Sequence, residues 1–189
     1  MSAREVTWRQ YDAVMNESRT PAKQDEFPAD VCWRDAREFC NDLSTTLRAT
    51  VRLPTEAEWE FARREGRRIE KYYPPGNEGA LNRVGWFEGN SKGSTHPVGQ
   101  KAPNAFGLYD MQGNVWEFVE DDWHPTFDEA PSDGSAWVDR PRADQRVIKG
   151  GSFDFPAWHC RPTSRLYMGI GYCDGRTGFR VVLEAGHSP

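Results

Sequence analysis

Apolar side chains recur at helical spacing in three separate stretches near the start of the chain. Trp8, Tyr11, Val14 and Met15 share one face, and Thr7 with Gln10 three residues on forms a capping box that starts a helix there. A polar turn over residues 18–27 follows. The spacing of Ala36, Phe39, Cys40, Leu43 and Leu47 predicts a second helix over 33–47 and makes Cys40 a core residue. The segment VRLPTEAEWEFARREG reads as a short strand, a turn and a third helix, with Thr55 as N-cap, Glu58 reaching back and Gly66 as the stop.

Residues 72–103 lose this periodicity and are rich in Gly, Asn and Pro, so they read as a long irregular region that needs extra ties to stay ordered. GLYDMQGNVWEFVEDDW, a second loop over 124–145, the strand-like RVIKGGSF and the alternating TGFRVVL complete the chain. Two to three helices come first and short strands later, with long loops between them. The fold class is therefore α+β, in one loop-rich domain over residues 1–189.

Composition adds to this picture. Only 37% of the residues are apolar, but 8 Trp, 6 Tyr and 10 Phe bury large areas each, while 17 Gly and 13 Pro suit many turns. The formal net charge of −5 carries no basic face, which argues against a nucleic-acid partner. No stretch approaches the roughly 20 apolar residues of a membrane span, and the N-terminus has no signal-peptide core. These features predict a soluble protein, cytoplasmic or carried on a phage or virus particle or on a cell surface by another route. Cys32, Cys40, Cys160 and Cys173 form no CxxC pair, and the histidines show no HxxxH spacing, which points away from a tetrahedral zinc site. Buried free thiols are the simplest reading of the cysteines.

Four ordered segments carry a family resemblance: FPADVCWRDAREFCNDLS, RLPTEAEWEFARREG, THPVGQKAPNAFGLYDMQGNVWEFVEDDW, and RVIKGGSF…CRPTSR…TGFRVV. Together they resemble the formylglycine-generating-enzyme (sulfatase-modifying factor) type of domain across residues 5–183. The resemblance implies a C-type lectin-like fold of short strands and long loops. Relatives usually have a further strand before the segment matching EVTWRQY. That leaves the final strand, residues 178–183, short of a neighbour, so either the domain tolerates this or another chain covers the edge.

The resemblance also implies structural calcium. One site falls on Asp110 and Glu117 through side chains and on Gly113 and Val115 through carbonyls, a hard-oxygen set that suits the ion. Judged by residue type alone, Asp110 serves equally as a turn cap and Glu117 as a surface carboxylate. A second site falls on the side chains of Asn82 and Asn90 and the carbonyls of Arg83 and Lys92, with Asn90 standing where relatives often have an aspartate.

The family's enzyme oxidises a sulfatase cysteine to formylglycine with two active-site cysteines. The stretch here reads GGSFDFPAWHC, so Cys160 matches the second cysteine while Phe155 stands at the first, with no thiol to ionise or bind a soft metal. Cys160 is thus a weak catalytic candidate. Ser152 and Trp116 match residues lining the family's pocket, and equally suit a turn and a core. His159 beside Cys160 makes a poor catalytic pair if the chain is extended there, and Asp121 and Asp122 read as solvated.

Asp154, Phe155, Trp158, His159, Ser164, Leu166, Tyr167, Met168, Ile170, Tyr172 and Asp174 lie between GGS and GFR. On a lectin-type surface these side chains have the composition of a protein-binding patch. Variable proteins of diversity-generating retroelements share this fold and vary the corresponding C-terminal stretch. The expected function is a non-catalytic module that binds a protein ligand there. The alternative is a formylglycine-generating-type oxidoreductase acting on a sulfatase cysteine. Oligomeric state is not legible in the sequence.

Overall fold

The computed structural model describes residues 1–17, 24–66 and 78–184. Part of the polar turn over 18–27 and the start of the irregular region at Tyr72 lie outside these residues. The first helix, α1 (Trp8–Met15), starts at the predicted capping box: the Gln10 N–H donates to Thr7 Oγ1, and the Gln10 side chain accepts from the Thr7 N–H. Helix α2 (Trp33–Leu47) has the predicted bounds, and its face of Trp33, Ala36, Phe39 and Cys40 is buried. Leu47, placed on that stripe by periodicity, is instead exposed in the last turn. Helix α3 (Glu56–Arg63) is capped by Thr55 and Glu58 as expected.

Inside the stretch that reads as irregular there is a fourth helix, α4 (Glu78–Val84), which buries Leu81. Four helices among the described residues thus replace the expected two to three. With one apolar anchor and a Gly at its second position, α4 offers no amphipathic stripe for a pattern reading to detect.

Strands β2 (Trp116–Asp122), β3 (Gln145–Lys149), β4 (Arg165–Gly169) and β5 (Thr177–Phe179) form one sheet in the order β4-β3-β2-β5. The β2–β3 and β3–β4 pairs are antiparallel, and β2–β5 is parallel. A two-stranded sheet joins β1 (Val51–Arg52) to β6 (Val182–Leu183). The large sheet is buried on both faces. Trp116, Phe118, Ile148 and Phe179 pack with α1 and α2, whereas Val119 and Val147 pack with Trp59 of α3.

The expectation that residues 178–183 lack a neighbour is corrected. The Ser2 N–H donates to the Val181 carbonyl at 2.7 Å and the Val6 N–H to the Phe179 carbonyl at 2.9 Å, so the chain's own first residues cover that edge. Asp121 and Asp122 are also buried rather than solvated. Asp121 accepts from the Glu56 and Trp137 N–H groups, tying the start of α3 to the 124–145 loop. Asp122 pairs with Arg142 at 2.9 Å and Arg146 at 2.6 Å beside the Trp33 ring.

Candidate functional site

The turn before β2, the start of β2, the residue after β5 and the first residues of the chain converge on a buried charge cluster. Glu5, Asp110, Glu117 and Arg180 are each no more than 1% exposed. Arg180 grips Glu117 with both prongs, Nε to Oε2 at 2.6 Å and Nη2 to Oε1 at 2.7 Å, and Trp59 Nε1 donates to Oε2 at 2.7 Å. Asp110 Oδ2 accepts from the Gly99 N–H at 2.6 Å, but Asp110 Oδ1 is buried without a partner. Glu5 is held by Asn114 Nδ2 at 2.7 Å. Burial, reinforced by Asp110 and Glu117, pushes the Glu5 carboxyl well up, and burial raises Asp110 as well. Three carboxyls thus share one guanidinium.

Of the residues that the resemblance assigns to calcium, Asp110 offers an open buried oxygen, whereas both Glu117 oxygens already accept from Arg180 and Trp59. An orphaned buried carboxyl oxygen is what a hard cation relieves. The turn is also built tightly: Gly113 has φ 106°, and a Cβ there would lie 1.9 Å from the Trp86 carbonyl oxygen. Glu117 is not a surface carboxylate, which removes one of the alternatives left open by residue type.

The second predicted set does not fit. Asn90 and Asn82 come together, but Asn90 Nδ2 donates to Asn82 Oδ1 and to the Gly85 carbonyl while its Oδ1 accepts from the Phe87 N–H. The Arg83 carbonyl accepts from the Ala102 N–H at 2.9 Å. Lys92 sits at φ 59° in the following turn. The loop closes on its own hydrogen bonds, and this set of four offers no carboxylate. A cation already caps it: Lys101 Nζ donates to the Asn82 carbonyl at 2.7 Å and lies 3.7 Å from the centre of the Trp86 ring.

The stretch after β3 begins with Gly150 and Gly151. A Cβ on Gly151 would stand 2.8 Å from Cys160 Sγ, so the glycine is what lets the turn Ala157–Cys160 fold back over the chain. Cys160 lies under that turn against Leu81 and Phe87, and burial pushes its thiol up to about 12. Phe155 meets the Trp116 ring edge-on at 5.5 Å. His159 is 4.8 Å from Phe155 and stacks under Trp158 at 3.5 Å, giving a run of rings from solvent to core. Residues 157–160 form a 3-10 turn, not the extended chain assumed for the His159–Cys160 pair. His159 is buried, which lowers its pKa and withdraws it from the expected binding patch.

Strand β4 divides the rest of that patch. Leu166 and Met168, with Phe155 and Ile170, pack at the rim of the main core, and Leu166 faces Ile148 across the sheet. Tyr167 points the other way, onto Trp123 at 5.1 Å. The sequence reading missed β4, because a strand at a sheet edge with both faces half-covered shows no polar–apolar alternation. Asp154 is fastened by Ser152 at 2.7 Å and Arg176 at 2.9 Å, and Asp174 accepts from the Arg176 N–H. Ser164 is half-buried in a turn, its N–H on the Arg161 carbonyl. Trp158, Tyr167 and Tyr172 are the large side chains of the stretch that reach solvent, at 54%, 49% and 61% exposure. Ser152 and Trp116 are buried.

The model of the sulfatase-modifying factor enzyme 1-like domain matches residues 1–185. The chain belongs to that family. It is 37% identical to a formylglycine-generating enzyme of Thermomonospora curvata over 177 residues, 82% of this chain and 54% of that protein. It is 35% identical to the inactive C-alpha-formylglycine-generating enzyme 2 of Bos taurus, over 87% of this chain and 52% of that one. The chain therefore spans about half the length of these curated relatives. Among solved structures, PvdO from Pseudomonas aeruginosa superposes with a TM-score of 0.83 at 29% identity, covering 97% of this chain and 79% of that one. Variable protein 1 of Treponema denticola superposes at 0.78 and 28%, covering 94% and 81%. The α+β, lectin-like architecture expected from the sequence is thus the family's own. Among the described residues, no helix of this sulfatase-modifying-factor domain is long and apolar enough to cross a membrane.

Proposed function

We propose that this domain is a ligand-binding module whose 154–174 stretch recognises a protein, and that it does not generate formylglycine. The observation that carries the reading is the state of the two positions the chemistry needs. Phe155 stands at the first and is packed edge-on against Trp116, and Cys160 at the second is buried with its thiol held protonated. Neither group offers a thiolate at neutral pH. The likeness to a variable protein and to an inactive relative supports recognition over catalysis.

Trp158, Tyr167 and Tyr172 would supply the contact area, since exposed aromatics on a rigid frame carry much of the energy of protein interfaces. Asp110, Glu117 and the carbonyls of Gly113 and Val115 would hold a structural calcium ion, and the ion would supply charge neutralisation alone.

Two measurements separate the classes. A cysteine-containing sulfatase peptide incubated with the protein stays unoxidised if the module only binds, and peptide oxidation abolished by Cys160→Ser would establish the enzyme instead. Sequencing codons 150–180 across a population of the source tests whether the surface is diversified. Variation at Phe155, Leu166, Tyr167, Ile170 and Tyr172 around fixed glycines supports that, and a uniform stretch leaves a recognition surface of fixed specificity.

A further inference from the structure

Helix α2 begins beside the loop that follows β4, and the two bring together residues far apart in sequence. Cys32 is the N-cap of α2, Asp35 lies in its first turn, and Cys173 sits in the loop between Tyr172 and Asp174. One ligand atom from each, the two sulfurs and a carboxylate oxygen, lie within 4.8 Å of one another. Cys32 is buried, Asp35 half-buried and Cys173 exposed, so the group opens to solvent on one side. Both cysteines are free thiols. The simple reading of all four cysteines as buried thiols therefore fails at Cys173.

We infer that Cys32, Asp35 and Cys173 form a binding site for a thiophilic divalent cation of the zinc class. Two sulfurs and one carboxylate are a donor set for such an ion, with the open side left for water or a further ligand. Tetrahedral coordination at a metal–sulfur distance of about 2.3 Å needs sulfurs roughly 3.8 Å apart, a spacing within the reach of these side chains. The Cys32 side chain makes no capping hydrogen bond to the helix and instead meets the Cys173 side chain. On uptake each thiol gives its proton to solvent as its sulfur binds the ion.

A disulfide between Cys32 and Cys173 uses the same two sulfurs but gives Asp35 no part, and it needs an oxidant. The metal uses all three groups. It also crosses from α2 to the loop carrying Tyr172, so an ion here fastens one edge of the 154–174 stretch to the core. The site stands on its own geometry and does not depend on that stretch being a recognition surface.

The test titrates reduced, metal-free protein with Cd2+ and follows the thiolate-to-metal charge-transfer absorption, with Zn2+ as competitor. The expected result is a band that saturates at one equivalent, is lost in Cys32→Ser and in Cys173→Ser, and needs at least about tenfold more metal in Asp35→Asn. Serine is a good N-cap and position 173 is exposed, so both serine variants keep the fold, which far-UV circular dichroism verifies. An undiminished band in Cys173→Ser overturns the site. So does a wild-type protein that takes up no metal when reduced, whether or not its two thiols then join in air.

Discussion

Arg180 and Glu117 form a two-pronged ion pair in which neither partner is exposed, and the buried Glu5 and Asp110 sit within reach of the same guanidinium. Removing the guanidinium leaves three buried carboxyls facing one another. Arg180→Met is expected to cost about 3–5 kcal/mol of stability, measured by urea unfolding, because an uncompensated buried charge is far worse than an exposed one. Arg180→Lys recovers little of this, since an ammonium lacks the planar fork that meets both Glu117 oxygens.

Calcium is expected to raise the melting temperature of the wild-type protein, because an ion that binds only the folded state stabilises it by mass action. Asp110→Ala should abolish the shift. Asn90→Ala should leave it intact, since the Asn82–Asn90 loop closes on its own hydrogen bonds. Differential scanning fluorimetry with and without chelator decides both.

Tyr172→Ala should leave the melting temperature nearly unchanged, because that side chain is mostly exposed, whereas Trp158→Ala should lower it through the lost stack on His159. Tyr167→Ala should lower stability by roughly 0.5–1.5 kcal/mol through its lost contact with Trp123. In a capture assay with the native ligand, all three should weaken binding. A variant that binds normally removes its residue from the surface.

Burial pushes the Asp121 carboxyl up to about 6, with Glu56 and Glu120 adding to the rise, while the Trp137 and Glu56 N–H groups pull it back. The folded protein therefore holds this proton more tightly than the unfolded chain does, whose carboxyl titrates near 3.9. The contribution of Asp121 to stability is greatest at low pH and falls as pH rises from about 4 through about 6. Asp121→Asn should flatten that part of the stability–pH curve in urea titrations.

What the sequence disclosed was mostly local. Thr7 with Gln10 and Thr55 with Glu58 mark two helix starts because a capping box is written within four residues. The runs around Gly113 and Gly151 carried the family resemblance, and with it the lectin-like fold. What stayed hidden depends on distant partners. Nothing near Asp121 or Asp122 in the chain announces their burial, because the groups that satisfy them come from α3, the 124–145 loop and β3. Cys32 and Cys173 show no ligand spacing for the same reason: the third dimension alone brings them together.

The contacts of Ser2 with Val181 and of Val6 with Phe179 join the first residues of the described chain to almost the last. Strand β5, which follows the 154–174 stretch, lies against β2, and Arg180 comes directly after it. Closing the core thus needs ring closures that span nearly the whole sequence, the slowest kind of contact for a chain to make. During synthesis the helices form early, but Glu5, Asp110 and Glu117 wait for Arg180 to emerge. The core of this module therefore locks only once Arg180 has emerged, and every residue of the 154–174 stretch has been made by then.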